Sequence, residues 1–215
     1  MDKRRGAPGV WAKSLAKLIG GDDRCWYRAW FQSRYFVKRP PVPPAEAERM
    51  AGYQRKHDEI VEARRRGLEA EGFMVRVEDA ASFRLIGTRA ELTGKPDLVG
   101  LRTDPEGERA LVVDAKSGKR RESDLWQVRI YLFALPLTWL RAKLLGGEVA
   151  YSDGSVEVRV PGPAESSRIV AGIKRLSDPE EPPRVGSKFE CEECPVVECA
   201  ERWDDRHHSG TTGIF

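Results

Sequence analysis

Two charged residues inside an apolar stretch are the first candidates for chemistry in this sequence. Between residues 98 and 117, two segments rich in apolar residues flank Asp104-Pro105-Glu106-Gly107, and the second segment carries Asp114 and Lys116. The pattern predicts a β-hairpin with residues 104–107 as its turn. Charged side chains are rarely buried without a partner, so an acid and a base this close in one strand indicate a polar site or an exposed edge.

The predicted register brings a second acid to the same face of the hairpin. Residues paired across this turn have numbers that sum to about 211, so Asp97 lies opposite Asp114. Side chains alternate along a strand, so Asp114 and Lys116 share one face and Ala115 points to the other. Two facing carboxylates repel each other, and Mg²⁺ or Mn²⁺, which prefer oxygen ligands, would remove that repulsion. The alternative is an exposed hairpin with a Lys–Asp ion pair and no metal.

Three polar residues outside the hairpin could join this site. Gln127 and Tyr131, in the segment DLWQVRIYLFAL, are one helical turn apart and share a face of a helix predicted over 122–135. His57 lies on the apolar stripe of a helix predicted over 45–72, which turns it toward the sheet. A lone histidine on such a stripe is usually a core residue, and Gln127 and Tyr131 could be ordinary helix residues.

The order of these motifs resembles the PD-(D/E)xK nuclease superfamily. Pro96-Asp97 followed by Asp114-x-Lys116 is similar to the superfamily signature, and Gln127-x3-Tyr131 is similar to the Q-x3-Y motif of its RecB-like branch. His57 stands where that branch carries a metal-binding histidine. The resemblance implies metal-assisted phosphodiester hydrolysis by an Mg- or Mn-dependent deoxyribonuclease.

The resemblance also implies a role for each of these residues. The ligands of Mg²⁺ or Mn²⁺ would be His57, Asp97, Asp114 and the backbone carbonyl of Ala115. Lys116 would act on the nucleophilic water, and Gln127 and Tyr131 would position Lys116 or DNA phosphates.

The four cysteines are split between the two ends of the chain. Cys191, Cys194 and Cys199 lie close together in the segment KFECEECPVVECAERW, whereas Cys25 lies far upstream in DRCWYRAWF. The four form one site only if the chain ends meet in space. A structural Zn²⁺ and a [4Fe–4S] cluster would use the same four thiolates, so spacing alone leaves both open.

This layout resembles the iron–sulfur nucleases of the RecB-like branch over about residues 14–203. That branch includes the stand-alone CRISPR-associated exonuclease, which is the most similar in overall form, and the nuclease domains of AddB-type and eukaryotic replication helicase–nucleases. The resemblance implies a [4Fe–4S] cluster, with zinc as the alternative, on Cys25, Cys191, Cys194 and Cys199. The cluster would join the two chain ends into a ring that favours threading of a single DNA strand.

Aromatic and basic residues are candidate DNA contacts. The aromatic residues that could stack bases, or simply pack a core, are Trp26, Trp30, Tyr35 and Phe36. Arg64-Arg65-Arg66 and Lys119-Arg120-Arg121 could contact phosphates, or could form solvated faces.

The resemblance implies an exonuclease that acts on single-stranded DNA or on frayed ends. CRISPR adaptation or DNA end-processing is the implied context, with other CRISPR adaptation proteins as possible partners. The alternatives are a phage or mobile-element recombination nuclease of the same family, and a catalytically weak subunit that binds DNA ends in a larger assembly.

Composition limits these functions without choosing among them. The chain has 215 residues, 40% hydrophobic and 33% charged, with a net charge of +3, which suits one globular domain and gives little evidence for a polyanion partner. No apolar run reaches the ~18 residues of a membrane span, and the N-terminus lacks the apolar region of a signal peptide, so a cytoplasmic protein is expected. The sequence contains no Gly-x4-Gly-Lys-Ser/Thr motif, so a helicase segment is not expected.

The elements that must position these residues alternate between helix and strand. Helices are predicted over 11–36 with a break at Gly20-Gly21, 45–72, 122–135 with an optional restart to Leu145, and 163–177. Strands are predicted over 73–78, 83–86, 97–102 and 109–117, followed by a hairpin with Asp153-Gly154 as its turn. This pattern predicts an α/β fold with a central mixed sheet flanked by helices. The resemblance implies that this is a restriction-endonuclease-like core with N- and C-terminal segments joined by a four-cysteine metal site.

The expected domain organisation is a single nuclease domain over residues 1–215. Within it the parts are an aromatic helical segment with Cys25 (11–44), a nuclease core (45–178) and a cysteine module (186–203).

Overall fold

The computed structural model describes residues 3–4, 6–36, 42–192 and 194–203. Of the predicted segments, residues 37–41 within 11–44 and residue 193 within 186–203 lie outside the described residues, as do the termini of the predicted domain.

Strands and helices alternate along the described residues. The strands are β1 (Lys3–Arg4), β2 (Gly9–Trp11), β3 (Tyr35–Phe36), β4 (Met74–Val77), β5 (Phe83–Ile86), β6 (Glu91–Gly94), β7 (Leu98–Asp104), β8 (Gly107–Ala115), β9 (Lys143–Tyr151) and β10 (Gly154–Val158). The helices are α1 (Ala12–Gly20), α2 (Trp26–Arg34), α3 (Pro44–Ala70), α4 (Glu122–Ala134), α5 (Pro163–Ser177) and α6 (Lys188–Glu192). Short 3₁₀ helices cover Glu78–Ala81 and Leu135–Leu137.

A five-stranded mixed sheet forms the centre of the fold, in the order β10-β9-β8-β7-β4. Strands β8 and β9 are parallel, and the other neighbouring pairs are antiparallel. Smaller sheets join β2, β6 and β5, and β1 with β3. The predicted α/β class with a mixed sheet flanked by helices is confirmed.

The two faces of the central sheet are covered by different helices. Ala110 and Val112 of β8 point into the larger core beneath α1, α2, α4 and α5, whereas Val113 and Ala115 point into a smaller core beneath α3. Successive residues of a strand face opposite sides, so β8 belongs to both cores. Its C-terminal end is therefore reached by side chains from both helical layers.

The β7–β8 hairpin has the predicted register. Leu98 pairs with Val113 and Asp104 with Gly107, so paired residue numbers sum to 211. Gly107 has a φ of +116°, a conformation that glycine adopts without steric cost. The pairing begins at Leu98, so Asp97 lies one residue before the ladder, beside the end of β8.

Two local predictions are wrong. The chain does not return to helix before Leu145, because Lys143–Tyr151 is strand β9, the parallel neighbour of β8. At Gly147 a Cβ atom would lie 2.5 Å from Val128 Cγ1 and 2.8 Å from the Val112 carbonyl oxygen, so only glycine fits this close approach between strand and helix. The turn of the following hairpin is Ser152-Asp153, since Gly154 already pairs with Tyr151.

Only the second half of α3 packs on the sheet. Ile60 and Leu68 are its buried residues, whereas Met50 and Tyr53 of the predicted apolar stripe are 53% and 54% exposed. The first turns of α3 therefore project from the sheet, and His57 lies at the boundary between the exposed and packed halves. No helix in the described part of the chain combines the length and apolar character needed to cross a membrane.

Candidate active site

Asp97 and His57 meet at the open end of the β7–β8 hairpin. The Asp97 Oδ2 atom accepts a hydrogen bond from the backbone N–H of Ala115 at 2.7 Å and lies 3.2 Å from His57 Nε2. The Asp97 carbonyl accepts a bond from the Glu78 N–H at 3.0 Å, which holds the residue at this sheet end. The packed half of α3 thus brings His57 to the acid that the sequence predicted as its neighbour.

Asp114 is buried on the other side of the strand end. It is 2% exposed, and its Oδ1 atom accepts a hydrogen bond from Gln127 Nε2 at 3.1 Å. Its Oδ2 atom forms an ion pair with the Lys116 ammonium. Lys116 in turn donates to Gln127 Oε1 at 3.2 Å. One glutamine therefore fixes both members of the ion pair.

Tyr131 completes this network. Its hydroxyl accepts a hydrogen bond from Gln127 Nε2 at 2.6 Å and donates to the Lys95 carbonyl at 3.2 Å. One turn of α4 separates Gln127 from Tyr131, so both point to the same sheet end. The Lys116 N–H donates to the Ala150 carbonyl at 2.8 Å, which anchors the lysine to β9.

The electrostatics of the site differ from those of an exposed ion pair. Burial raises the pKa of Asp114 to about 6, Lys116 opposes this rise, and Asp97 adds to it. Burial alone would lower the pKa of Lys116, but the Asp114 and Asp97 carboxylates more than offset it, so that pKa is raised. The hydrogen bond to Asp97 raises the pKa of His57. The charged groups therefore depend on one another, as they do in functional sites.

Two buried atoms of the site make no hydrogen bond within the described part of the chain. These atoms are Asp114 Oδ2 and His57 Nδ1, and the latter lies 3.6 Å from Asp58 Oδ1, beyond hydrogen-bond distance. Two carboxylates and an imidazole are donor types that suit Mn²⁺ or Mg²⁺. The described residues hold no group of three His, Cys, Asp or Glu side chains already arranged as a metal site. The donor types therefore fit a divalent cation. In this structure the positive charge beside Asp114 is the Lys116 ammonium.

The segment around Cys25 meets α6 of the predicted cysteine module at the start of α2. Glu190 of α6 accepts hydrogen bonds from the backbone N–H groups of Cys25, at 2.9 Å, and Arg24, at 3.1 Å. Burial raises the pKa of the Cys194 thiol, and the nearby Cys25 and Cys191 thiols add to the rise. The segments that carry the four cysteines therefore come together, and the thiols of the described residues are free of disulfides.

The remaining predicted DNA contacts divide into packed and exposed residues. Trp30 is buried, with its indole N–H donating to the Asp178 carbonyl at 2.7 Å, so of the two alternatives for this residue the structure favours packing in the core. Tyr35 stacks on Phe31, whereas Phe36 is half exposed.

The predicted basic runs are partly committed to ion pairs. The carboxylates that pair with Arg64, Arg65 and Arg66 are Glu62, Glu69, Glu71 and Glu148. The alternative interpretation of these arginines, a solvated face, fits this part of α3, where the face is made of ion pairs. Arg120 pairs with Asp153 at 2.8 Å, whereas Lys119 and Arg121 line a cleft beside Lys116.

Two lysines of α1 also reach this cleft, and no sequence motif indicated this. Lys13 and Lys17 are one helical turn apart and line the cleft together with Lys119 and Arg121. They reach it because α1 packs closely against the start of α4: a Cβ atom at Gly20 would lie 2.7 Å from the Ser123 backbone nitrogen. A contact between residues this far apart in sequence leaves no local pattern.

The structure is thus an α/β fold in which Asp97, Asp114 and Lys116 lie together at the end of the central β7–β8 hairpin. This arrangement is typical of metal-dependent nucleases. The family model of the PD-(D/E)XK nuclease superfamily matches residues 16–199, and the chain belongs to this superfamily. Members of this superfamily generally use divalent metals such as Mg²⁺ or Mn²⁺.

One solved structure, described as "Crystal structure of SSO0001", is similar over 94% of this chain and 91% of that chain, with 15% identity and a TM-score of 0.47. No match was found among curated proteins.

Proposed function

We propose that the protein is a metal-dependent DNA exonuclease that acts on single strands or frayed ends. The observation that carries this proposal is the buried Asp114–Lys116 pair beside Asp97 at the end of the hairpin. Burying an ion pair next to a further carboxylate is costly for folding, and charged groups that shift one another's pKa as these do are typical of a catalytic site.

The residues that would hold the divalent cation are His57, Asp97, Asp114 and the Ala115 carbonyl. A bound Mg²⁺ or Mn²⁺ would polarise the scissile phosphate and lower the pKa of a bound water. Lys116 would orient that water and stabilise charge on the phosphate. Gln127 holds the Lys116 ammonium at 3.2 Å and is itself held by Tyr131 at 2.6 Å, so these two side chains would position Lys116.

We further propose the iron–sulfur branch of the RecB-like nucleases for this chain, with a function in CRISPR adaptation or DNA end-processing. The four thiolates of Cys25, Cys191, Cys194 and Cys199 would hold a [4Fe–4S] cluster. The Glu190 bonds to Arg24 and Cys25, which draw the two chain ends together, support this part of the proposal. The domain division into 11–44, 45–178 and 186–203 would then be a nuclease core joined at its ends by the cluster.

The decisive experiment follows the degradation of end-labelled single- and double-stranded DNA. With Mg²⁺ or Mn²⁺ we expect short products from the ends of single strands and of frayed duplexes, and with EDTA we expect none. Binding of DNA ends without any cutting would favour a catalytically weak end-binding subunit. Cutting of closed circular single strands would contradict the exonuclease assignment.

Replacing His57 with alanine is expected to weaken Mn²⁺ binding by at least about tenfold, because loss of a group that ligates or orients a metal costs this much or more. The free energy of unfolding should change little, since His57 is partly exposed and Ile60 and Leu68 supply the packing of α3. Calorimetric titration with Mn²⁺ measures the first quantity and thermal unfolding the second.

The matched control is Tyr53→Ala, one turn earlier on α3, where the side chain is exposed. That variant should bind Mn²⁺ like the unmodified protein. Unchanged Mn²⁺ binding by His57→Ala would show that His57 is only a hydrogen-bond partner of Asp97.

A further inference from the structure

A basic cleft adjoins the candidate active site on the side of α1. It has a volume of about 240 Å³ and shares Lys116 and Gln127 with the site. The other residues that line it are Lys13, Lys17, Gly118, Lys119, Arg121, Ser123 and Asp124. The cleft is thus formed by helix α1, the loop after β8 and the first turns of α4.

The charge of the cleft is strongly unbalanced. Five of its lining side chains are cationic, and Asp124 is the one carboxylate among them. That carboxylate is already engaged, because its Oδ2 atom accepts hydrogen bonds from the Tyr151 hydroxyl and the Arg121 N–H, each at 3.0 Å.

Lys116 is paired with Asp114, but the other cations of the cleft are only weakly neutralised by acids nearby. Lys17 lies 3.9 Å from Asp23, and Arg121 lies 3.8 Å from Asp22, both longer than a hydrogen-bonded pair. Asp22 Oδ2 is shared with the Ser123 hydroxyl.

Lys13 forms no ion pair within the described residues. Partial removal of water, together with the Lys116 and Lys17 ammonium groups, lowers its pKa, and this outweighs the opposing effect of the Asp114 and Asp97 carboxylates. The lysines therefore repel one another across the cleft, and a bound anion would relieve this repulsion. The lining contains no aromatic side chain, so the cleft suits a charged group and not a stacked base.

We propose that this cleft is a phosphate subsite that holds the DNA phosphate next to the one that is cut. This inference rests on the proposed nuclease function, and it adds Lys13 and Lys17 as binding residues. Lysines act as point charges on phosphate oxygens, and the shared Lys116 places the subsite directly beside the site of hydrolysis. The phosphate is either an internal phosphodiester or the terminal phosphate of a strand end.

The test compares two double variants that remove the same charge. K13Q/K17Q removes the two positive charges on the α1 side of the cleft, and glutamine has a helix propensity close to that of lysine. K143Q/K174Q removes two exposed lysines, one at the far end of β9 and one on α5. Affinity for a single-stranded oligonucleotide is measured by fluorescence anisotropy in EDTA at several salt concentrations, with 5′-phosphate and 5′-hydroxyl forms of the same oligonucleotide.

K13Q/K17Q should bind about tenfold more weakly than K143Q/K174Q. The slope of log Kd against log salt should fall by about 0.7, the value expected for loss of one phosphate contact to a single strand. In Mn²⁺ its KM should rise in proportion, while kcat stays within about twofold. If the weakening appears only with the 5′-phosphate form, the subsite holds a terminal phosphate; equal weakening of both forms assigns an internal one.

Equal affinities and slopes for the two double variants would overturn the subsite. If the unmodified protein cuts no DNA, the nuclease proposal fails, but the subsite still stands if K13Q/K17Q alone lowers the affinity and the salt slope.

Discussion

Replacing Lys116 with alanine is expected to reduce Mn²⁺-dependent hydrolysis of single-stranded DNA by about 10²- to 10⁴-fold, the usual contribution of a positioned acid–base group. Asp114→Ala should cost at least as much, since in the proposed site it would remove a charged oxygen ligand of a cation that contributes several kcal/mol of transition-state stabilisation. The measurement is the initial rate of release of an end label at saturating Mn²⁺. Both losses have the same cause, because each variant breaks the Asp114–Lys116 ion pair. Gln127 forms a hydrogen bond with each member of this pair.

Loss of activity must be separated from loss of fold. Asp114 is buried, so Asp114→Asn, which keeps the volume of the side chain, accompanies the alanine variant. Glu108→Ala, an exposed position near the other end of β8, is the matched control and should keep full activity. The assignment is wrong if Lys116→Ala or a folded Asp114→Asn retains near-normal Mn²⁺-dependent activity.

The hairpin that carries these residues was predictable because its information is local. A turn at residues 104–107 fixes the register of β7 and β8, and the register places Asp97 beside the end of the strand that holds Asp114. Helices α4 and α5 were predictable for a similar reason, since their apolar spacing and flanking prolines lie within a few residues.

Elements that depend on distant partners were not predictable. Strands β2 and β6 have three and four residues and pair across most of the N-terminal half of the chain, so neither has a periodic pattern of its own. The second half of β9 was predicted as part of a hairpin, but its first residues, 143–146, were not, and they become strand because β8 offers them a parallel edge. Propensity yields to tertiary pairing in such segments.

The candidate site shows the same division. Asp97, Asp114 and Lys116 follow from one hairpin, whereas Gln127 and His57 lie on separate helices. Their positions became predictable only through the order of motifs that the superfamily shares. Lys13 and Lys17 were missed entirely, because their approach depends on the packing of α1 against α4 at Gly20. A cleft formed by three separate segments has no signature in any one of them.

The prediction for the cysteines is a loss of bound iron. We expect Cys25→Ala to lose its iron as completely as Cys194→Ala. Each thiolate would be one of four ligands, so distance in sequence should not matter. Anaerobically purified unmodified protein should be brown, with about four irons per chain, and both variants should be colourless. Because the energy of a metal site contributes to folding, both variants should also unfold at lower temperature.

Loss of stability alone must not be mistaken for loss of a ligand. Ile60→Val shortens a side chain in the separate core beneath α3, a change that typically costs about 1 kcal/mol, and this variant should keep its colour and iron. A colourless unmodified protein with one zinc per chain would select zinc and leave the nuclease assignment intact. If Cys25→Ala keeps its full iron content, Cys25 is not a ligand of the cluster. The proposal that the cluster closes the chain into a ring would then also be wrong. The Glu190 bonds to Arg24 and Cys25 would then be among the contacts that hold the two segments together.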